Sequence, residues 1–156
     1  MTIHLSSKKI IKDWTDYNGH MNVAYYVLIF DIYGAEKLMT EFKMGENSAK
    51  TNNKSTMVVE THTTYNNEVK QGDDVEIVLT FFDHDKKRLH FRLEMYEKNS
   101  KKLSATIEML SLYINLNQRK VAEFETEKSK IMDTFINENK SKFVTENLVI
   151  VGKLKK

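Results

Sequence analysis

The residues best suited to chemistry are concentrated in one short stretch, Trp14-Thr15-Asp16-Tyr17-Asn18-Gly19-His20-Met21-Asn22, which runs straight into the apolar segment Val23 to Phe30. A carboxylate and an imidazole on either side of an Asn18-Gly19 turn suit either catalysis or the capping of a loop. Asn22 is a good N-cap for a helix starting at Val23, so the first free backbone N–H groups belong to Val23, Ala24 and Tyr25. A helix end of this kind stabilises negative charge on a side chain or on a bound group. Nowhere else does the chain change character so abruptly.

The element that positions this stretch is the segment from Val23 to Phe42. Its apolar residues do not form one narrow stripe, and only Asp31, Gly34, Glu36, Lys37, Thr40 and Glu41 interrupt them after Phe30. A helix apolar on most of its circumference belongs in a core. With Gly45 as a stop, the pattern predicts a single long helix, a rod of roughly 30 Å wrapped by the rest of the chain. The continuous apolar run is too short, and the charges lie too deep in it, for a membrane span.

After a polar, Asn-rich stretch at 46–54, read as a solvent loop, the sequence turns to period two. Alternation marks four strands, around Met57–Tyr65, Val75–Phe82, Leu89–Tyr96 and Leu103–Leu116, each with one face buried. The inward set of the second of these strands is read as Val75, Ile77, Leu79 and Phe81. At Met109-Leu110 the apolar parity changes, which predicts a β-bulge there. Ile3 to Trp14 opens as a further strand, and Ile131, Phe135 and Met132 suggest a short helix within 120–142. Val149 to Gly152 reads as a short strand or a docking segment.

At 156 residues the chain reads as one domain, 1–156, with 124–156 as a C-terminal extension. It has no cysteine, so disulfides and thiolate catalysis are excluded. A formal charge of +2 gives nucleic acid no broad electrostatic footprint. Residues 1–12 carry lysines but no continuous apolar region, so the expectation is a cytoplasmic protein without an export signal. Asp83-His84-Asp85 has the residue types of metal ligands, but its place at a hairpin followed by Lys86-Lys87-Arg88 favours a charged surface, and no metal is expected.

The run Asp16-Tyr17-Asn18-Gly19-His20-Met21-Asn22, entering a hydrophobic helix with Tyr25-Tyr26, resembles the Asp-x-x-Gly-His-x-Asn signature of hotdog-fold acyl-CoA thioesterases of the 4-hydroxybenzoyl-CoA thioesterase type. The resemblance continues through Val59–Tyr65, Gly72-Asp73 and Asp83–His90, and in detail it is similar to the thioesterases of carnitine breakdown that release betaine from betainyl-CoA. It implies an α+β hotdog fold, a curved antiparallel sheet wrapped around a long central helix. It also implies an acyl-CoA substrate, no cofactor beyond the coenzyme A carried by that substrate, and a homodimer or dimer-based tetramer paired edge to edge. On this resemblance Asp16 is the nucleophile or general base and the Val23 N–H polarises the thioester carbonyl. His20 orients the thioester or the loop, and Gly19 allows close backbone approach.

Each residue also has a plainer role. Asp16 would otherwise cap its loop, Asn22 the helix, and Gly19 simply turn the chain. Tyr17, Tyr25 and Tyr26 offer aromatic surface to a trimethylammonium acyl end, or pack. Glu60, on the same side of its strand as His62, is a candidate for holding a water or a cationic acyl end with His62 beside the substrate; a solvated strand face is the alternative. Lys86, Lys87 and Arg88, or Lys140, Lys142 and Lys153, would meet coenzyme A phosphates or simply be solvated. A binding module without turnover and a dehydratase are the competing classes, and retention of Asp16 in the Asp-x-x-Gly-His arrangement favours hydrolysis.

Overall fold

A computed structural model describes residues 2–156. The chain runs through β1 (Ile3–Lys9), α1 (Val23–Phe30), a π-helical turn (Asp31–Ala35), α2 (Glu36–Glu41), α3 (Glu46–Asn52), β2 (Lys54–Tyr65), β3 (Asp74–His84), β4 (Arg88–Glu97), β5 (Leu103–Asn115), β6 (Lys120–Val121) and α4 (Thr126–Asn139). The strands form one antiparallel sheet in the order β1-β3-β4-β5-β2, with β6 paired to the end of β5. Consecutive strands β3, β4 and β5 are neighbours because short turns join them. β2, which follows the helices, is added at the far edge, and β1 closes the other.

The core lies between the inner face of the sheet and one side of the helical run. Phe30, Leu38 and Phe42 from the helices meet Ile77, Leu79, Leu93, Ile107 and Tyr113 from the strands, all at most 1% exposed. Burying a side chain of this size contributes about 1.5–3 kcal/mol. α4 docks through an aromatic contact, Phe135 lying 5.2 Å from Phe42 and 5.8 Å from Phe82, with Met132 fully buried beside it.

Several expectations are corrected. The helical run is not one regular helix, because a π-helical turn breaks it at Asp31–Ala35. Nor is it enclosed all round: Val23, Val27 and Ile32 stay exposed on the side away from the sheet. Residues 46–52, read as loop, form α3. On β3 the register shifts between Leu79 and Phe81, so Phe82 enters the core while Phe81 turns to the outer face against Phe143. β5 keeps regular pairing with β4 through Met109-Leu110; the bulge opposite this region is on β2, between Val58 and Glu60. The apolar residues Leu110 and Ile114 belong to a second buried layer, the outer face of the sheet, which the chain beyond α4 covers.

That covering segment forms no strand; it is held by polar clamps. The Glu108 carboxylate accepts from the Val149 and Ile150 amides at 2.8 Å each and from His90 Nε2 at 2.7 Å. Further along, the Lys155 amide donates to Asp85 at 2.7 Å.

Gly34, in the π-helical turn, allows the closest approach of helix to sheet. A Cβ there would stand 2.7 Å from Leu93 Cδ1 and 3.1 Å from Ile77 Cγ2, and both side chains are fully buried with no room to yield. Gly34→Ala is expected to cost about 1–3 kcal/mol, read as a lower urea midpoint with unchanged slope.

Candidate active site

The Asp16 stretch is a tight loop pinned at both ends to the helix it introduces. Asp16 N–H donates to the His20 carbonyl at 3.0 Å and Gly19 N–H returns to the Asp16 carbonyl at 3.0 Å, closing the turn. Gly19 has φ +84°, a conformation that any side chain would strain. Asn22 N–H donates to the Trp14 carbonyl at 2.9 Å and Met21 N–H to Val69 at 2.8 Å, which fixes the loop against the helix start and the connection before β3.

Within this frame the carboxylate of Asp16 is half committed. Its Oδ1 accepts the Asn18 amide at 2.8 Å, and Oδ2 is left for other partners. Asn22 caps α1 as expected, its side-chain oxygen accepting from Ala24 N–H at 3.0 Å, while Tyr25 N–H goes to the Asn22 carbonyl at 3.0 Å. Of the first three amides of α1, that leaves the Val23 N–H without a partner among the described residues, on a residue that is 57% exposed. A free carboxylate oxygen and a free amide at a helix N-terminus, on one rigid turn, are what addition to a polarised carbonyl requires.

The other candidates fall in different places. His20 points toward Glu68, 3.9 Å from its carboxylate, and its backbone bridges Lys70. Tyr17 is almost fully exposed at the tip of the loop. Tyr25 stacks on Trp14, with ring centroids 6.4 Å apart, and Tyr26 is buried edge-on against Tyr65 at 5.3 Å, so both rings are used in packing. Burial raises the Tyr26 hydroxyl above its ordinary range. Glu60 and His62 do share a side of β2, but it is the outer one. Glu60 lies 3.7 Å from Lys153, and His62 lines a small cavity with Arg92, Thr106 and Glu108 under the covering segment. The structure therefore joins Asp16, Gly19, His20, Asn22 and Val23 in one unit and leaves Glu60 and His62 on the other face of the sheet.

The Asp83-His84-Asp85 hairpin is used in folding. Asp85 closes the turn by accepting from Lys87 N–H and Arg88 N–H, and His84 Nε2 contacts Asp133 of α4 at 2.7 Å. Among the described residues no group of three or more His, Asp or Glu gathers as a metal site would need. No helix is long and apolar enough to cross a membrane.

Residues 11–135 match the model of the thioesterase-like superfamily, and the chain belongs to that family. It is a thioester hydrolase with an α+β hotdog fold. It is 32% identical over 118 residues to the betainyl-CoA thioesterase of Pseudomonas aeruginosa, covering 76% of this chain and 74% of that one. It is also 29% identical to the L-carnitine dehydrogenase/betainyl-CoA thioesterase of Rhizobium meliloti, where the match spans 72% of this chain but 22% of the longer protein. Among solved structures, a Staphylococcus aureus protein in complex with CoA superposes with a TM-score of 0.81 at 22% identity, covering 100% of this chain and 96% of that one.

Proposed function

We propose that the chain hydrolyses a short or polar acyl-CoA, with betainyl-CoA as its substrate, through Asp16 and the Val23 amide. The observation that carries this reading is the free Val23 N–H on the same rigid turn as the free oxygen of Asp16. The carbonyl oxygen of the thioester accepts from Val23 N–H, which gathers the charge that develops on that oxygen. Asp16 then acts in one of two ways. As a base it takes a proton from water while the hydroxyl adds to the carbonyl carbon; as a nucleophile its oxygen adds directly and water later cleaves the anhydride. In both, the carbon–sulfur bond breaks, the thiolate of coenzyme A takes up a proton, and the acid leaves. The likeness to the Pseudomonas aeruginosa enzyme supports betaine as that acid.

The active form in this reading is a homodimer, or a tetramer built from it, paired along β2. That strand is an unpaired sheet edge on which Met57, Val58 and Val59 are 45–52% exposed, an arrangement that a stable monomer ordinarily avoids. Sedimentation at micromolar concentration checks it, a monomer counting against the assembly.

Continuous detection of free thiol with a panel of acyl-CoAs tests the activity. Specificity for betainyl-CoA is expected to exceed that for palmitoyl-CoA by roughly a hundredfold, about 2.7 kcal/mol of transition-state preference. Equal specificity for the long chain removes the betainyl assignment, and hydration of a 2-enoyl-CoA without thiol release moves the protein to the dehydratases.

A further inference from the structure

A cavity of about 490 Å³ opens between the connection 66–73 and the turn that joins β4 to β5. Its walls are polar throughout, with three carboxylates, Glu68, Asp73 and Glu97, two ammonium groups, Lys70 and Lys102, and no aromatic or aliphatic side chain. The carboxylates are unequally engaged. Both oxygens of Glu97 accept amides of its own turn, from Asn99 at 2.9 Å and Ser100 at 2.7 Å, and one oxygen of Asp73 accepts the Lys70 amide at 2.8 Å. Glu68 is held loosely, 3.5 Å from Lys70 Nζ and 3.9 Å from His20 Nε2. Lys102 uses its backbone amide in the turn, but its ammonium group has no partner among the described residues.

A second observation is independent of the charges. Ser104 of β5 lines the same cavity at 1% exposure, and its hydroxyl is the one buried side-chain polar atom without a hydrogen-bond partner among the described residues. Buried hydroxyls are rarely left in this state unless something outside the chain meets them. Ser104 stands in a β-bulge, because Met95 pairs with Ala105 and Tyr96 with Leu103, which leaves it no opposite number on β4. Bulges of this kind re-aim a side chain. The Ser104 carbonyl is already used, accepting the Asn66 amide at 2.8 Å and the Asn67 amide at 3.2 Å, so only the hydroxyl is spare. An oxyanion alone would face three carboxylates against two ammonium groups here, and a cation alone would leave Lys102 unpaired. A ligand carrying both charges meets both sets. Its cation is a primary ammonium, since a quaternary one favours aromatic walls that this cavity lacks, whereas three N–H donors suit oxygens.

We propose that this cavity is an effector site for a free amino acid, its carboxylate taken by Lys102 and Ser104 and its ammonium by Glu68 and Asp73. The connection 66–73 carries the effect to the Asp16 turn. The Val69 carbonyl accepts the Met21 amide at 2.8 Å, and Lys70 forms a β-bridge with His20. The Glu68 carboxylate lies between Lys70 and His20, so a ligand ammonium drawn to Glu68 competes with both. That contact exists only in the occupied state, which is the differential interaction that coupling between two sites requires. The amino-acid site rests on the cavity alone; its effect on turnover rests on the hydrolase reading.

The test uses the full chain and has two arms. In the first, glycine is titrated into isotopically labelled protein and backbone amide shifts are followed. Saturating shifts at residues 67–70 and 102–104 are expected, with half-saturation at about millimolar glycine, and no saturation with equal glycine betaine, methylammonium chloride or inorganic phosphate. Removing a hydroxyl that bonds to nothing leaves no partner unsatisfied, so Ser104→Ala keeps or raises the urea midpoint while raising the half-saturation concentration about fivefold or more. Lys102→Gln is expected to weaken glycine to the same extent. In the second arm, glycine lowers kcat for betainyl-CoA about fivefold, and Ser104→Ala displaces the midpoint of that effect as it displaces the shifts. Absence of saturating shifts, shifts that both variants leave unchanged, or equal saturation by glycine betaine or phosphate overturns the amino-acid site. Saturating shifts with an unchanged kcat overturn the effector role. Saturating shifts in a protein that releases thiol from no acyl-CoA would refute the hydrolase reading while upholding the amino-acid site.

Discussion

Asp16→Asn is expected to reduce thiol release at saturating substrate by about two orders of magnitude or more, a loss of roughly 2.7 kcal/mol in transition-state stabilisation. Asparagine keeps the side-chain oxygen that accepts the Asn18 amide, so the turn and the helix entrance survive. It lacks the second carboxylate oxygen, which can add to a carbonyl or accept a proton from water. The expected variant is folded, retains its oligomeric state and still binds coenzyme A. Near-native turnover in that folded protein would remove Asp16 from the reaction. Trapping an acylated Asp16 in the unmodified protein would select the nucleophilic route over the base.

The largest expected loss of stability follows from Glu108→Ala. The carboxylate is 3% exposed and serves three donors, His90 and the amides of Val149 and Ile150. Removing it leaves a buried imidazole and two backbone amides without their acceptor, a change that costs about 3–5 kcal/mol. Urea denaturation should show the loss, and hydrogen exchange should show Val149 and Ile150 unprotected while the amides of β3 and β4 remain slow. The same clamp has a pH signature. Burial alone would raise the Glu108 carboxyl, but the Val149 amide, His90 and the Ile150 amide together outweigh it and hold it below the ordinary 4.5. A group lowered in the folded state contributes stability that is complete above 4.5 and is lost as pH falls through the folded value. Acid should therefore loosen the covering segment, and the alanine variant should not show that part of the acid dependence.

The reading of the Asp16 turn from sequence succeeded because the information there is local. An Asn cap, an Asn-Gly turn and a helix start are determined by residues a few positions apart, and the structure keeps Asp16, Asn22 and Val23 in that relation. Alternation placed the four strands for the same reason. Long-range packing was where the reading failed. Leu110 and Ile114 look like a change of parity only if a sheet has one buried face, and here the segment around Ile150 buries a second. Phe81 and Phe82 are interchangeable in an apolar pattern; the irregularity at Thr80 decides which of them enters the core. Glu60 and His62 were correctly put on one side of β2, but alternation does not say which side faces the helix.

The π-helical turn also acts on the rotational phase of the helix. Each residue of an ordinary helix advances the side chains by about 100°, so residues twelve apart, such as Tyr26 and Leu38 or Phe30 and Phe42, would point about 120° away from one another. All four are buried on the same sheet. A π-helical turn accommodates one extra residue, which reduces the effective spacing to eleven and the divergence to about 20°. The apolar residues that seemed to surround the helix are thus two faces written out of phase and brought together by Asp31–Ala35. A single deletion in the turn would therefore leave a regular α-helix with Leu38 and Phe42 still facing the sheet, whereas winding all the native residues as one regular helix would turn them about 120° away.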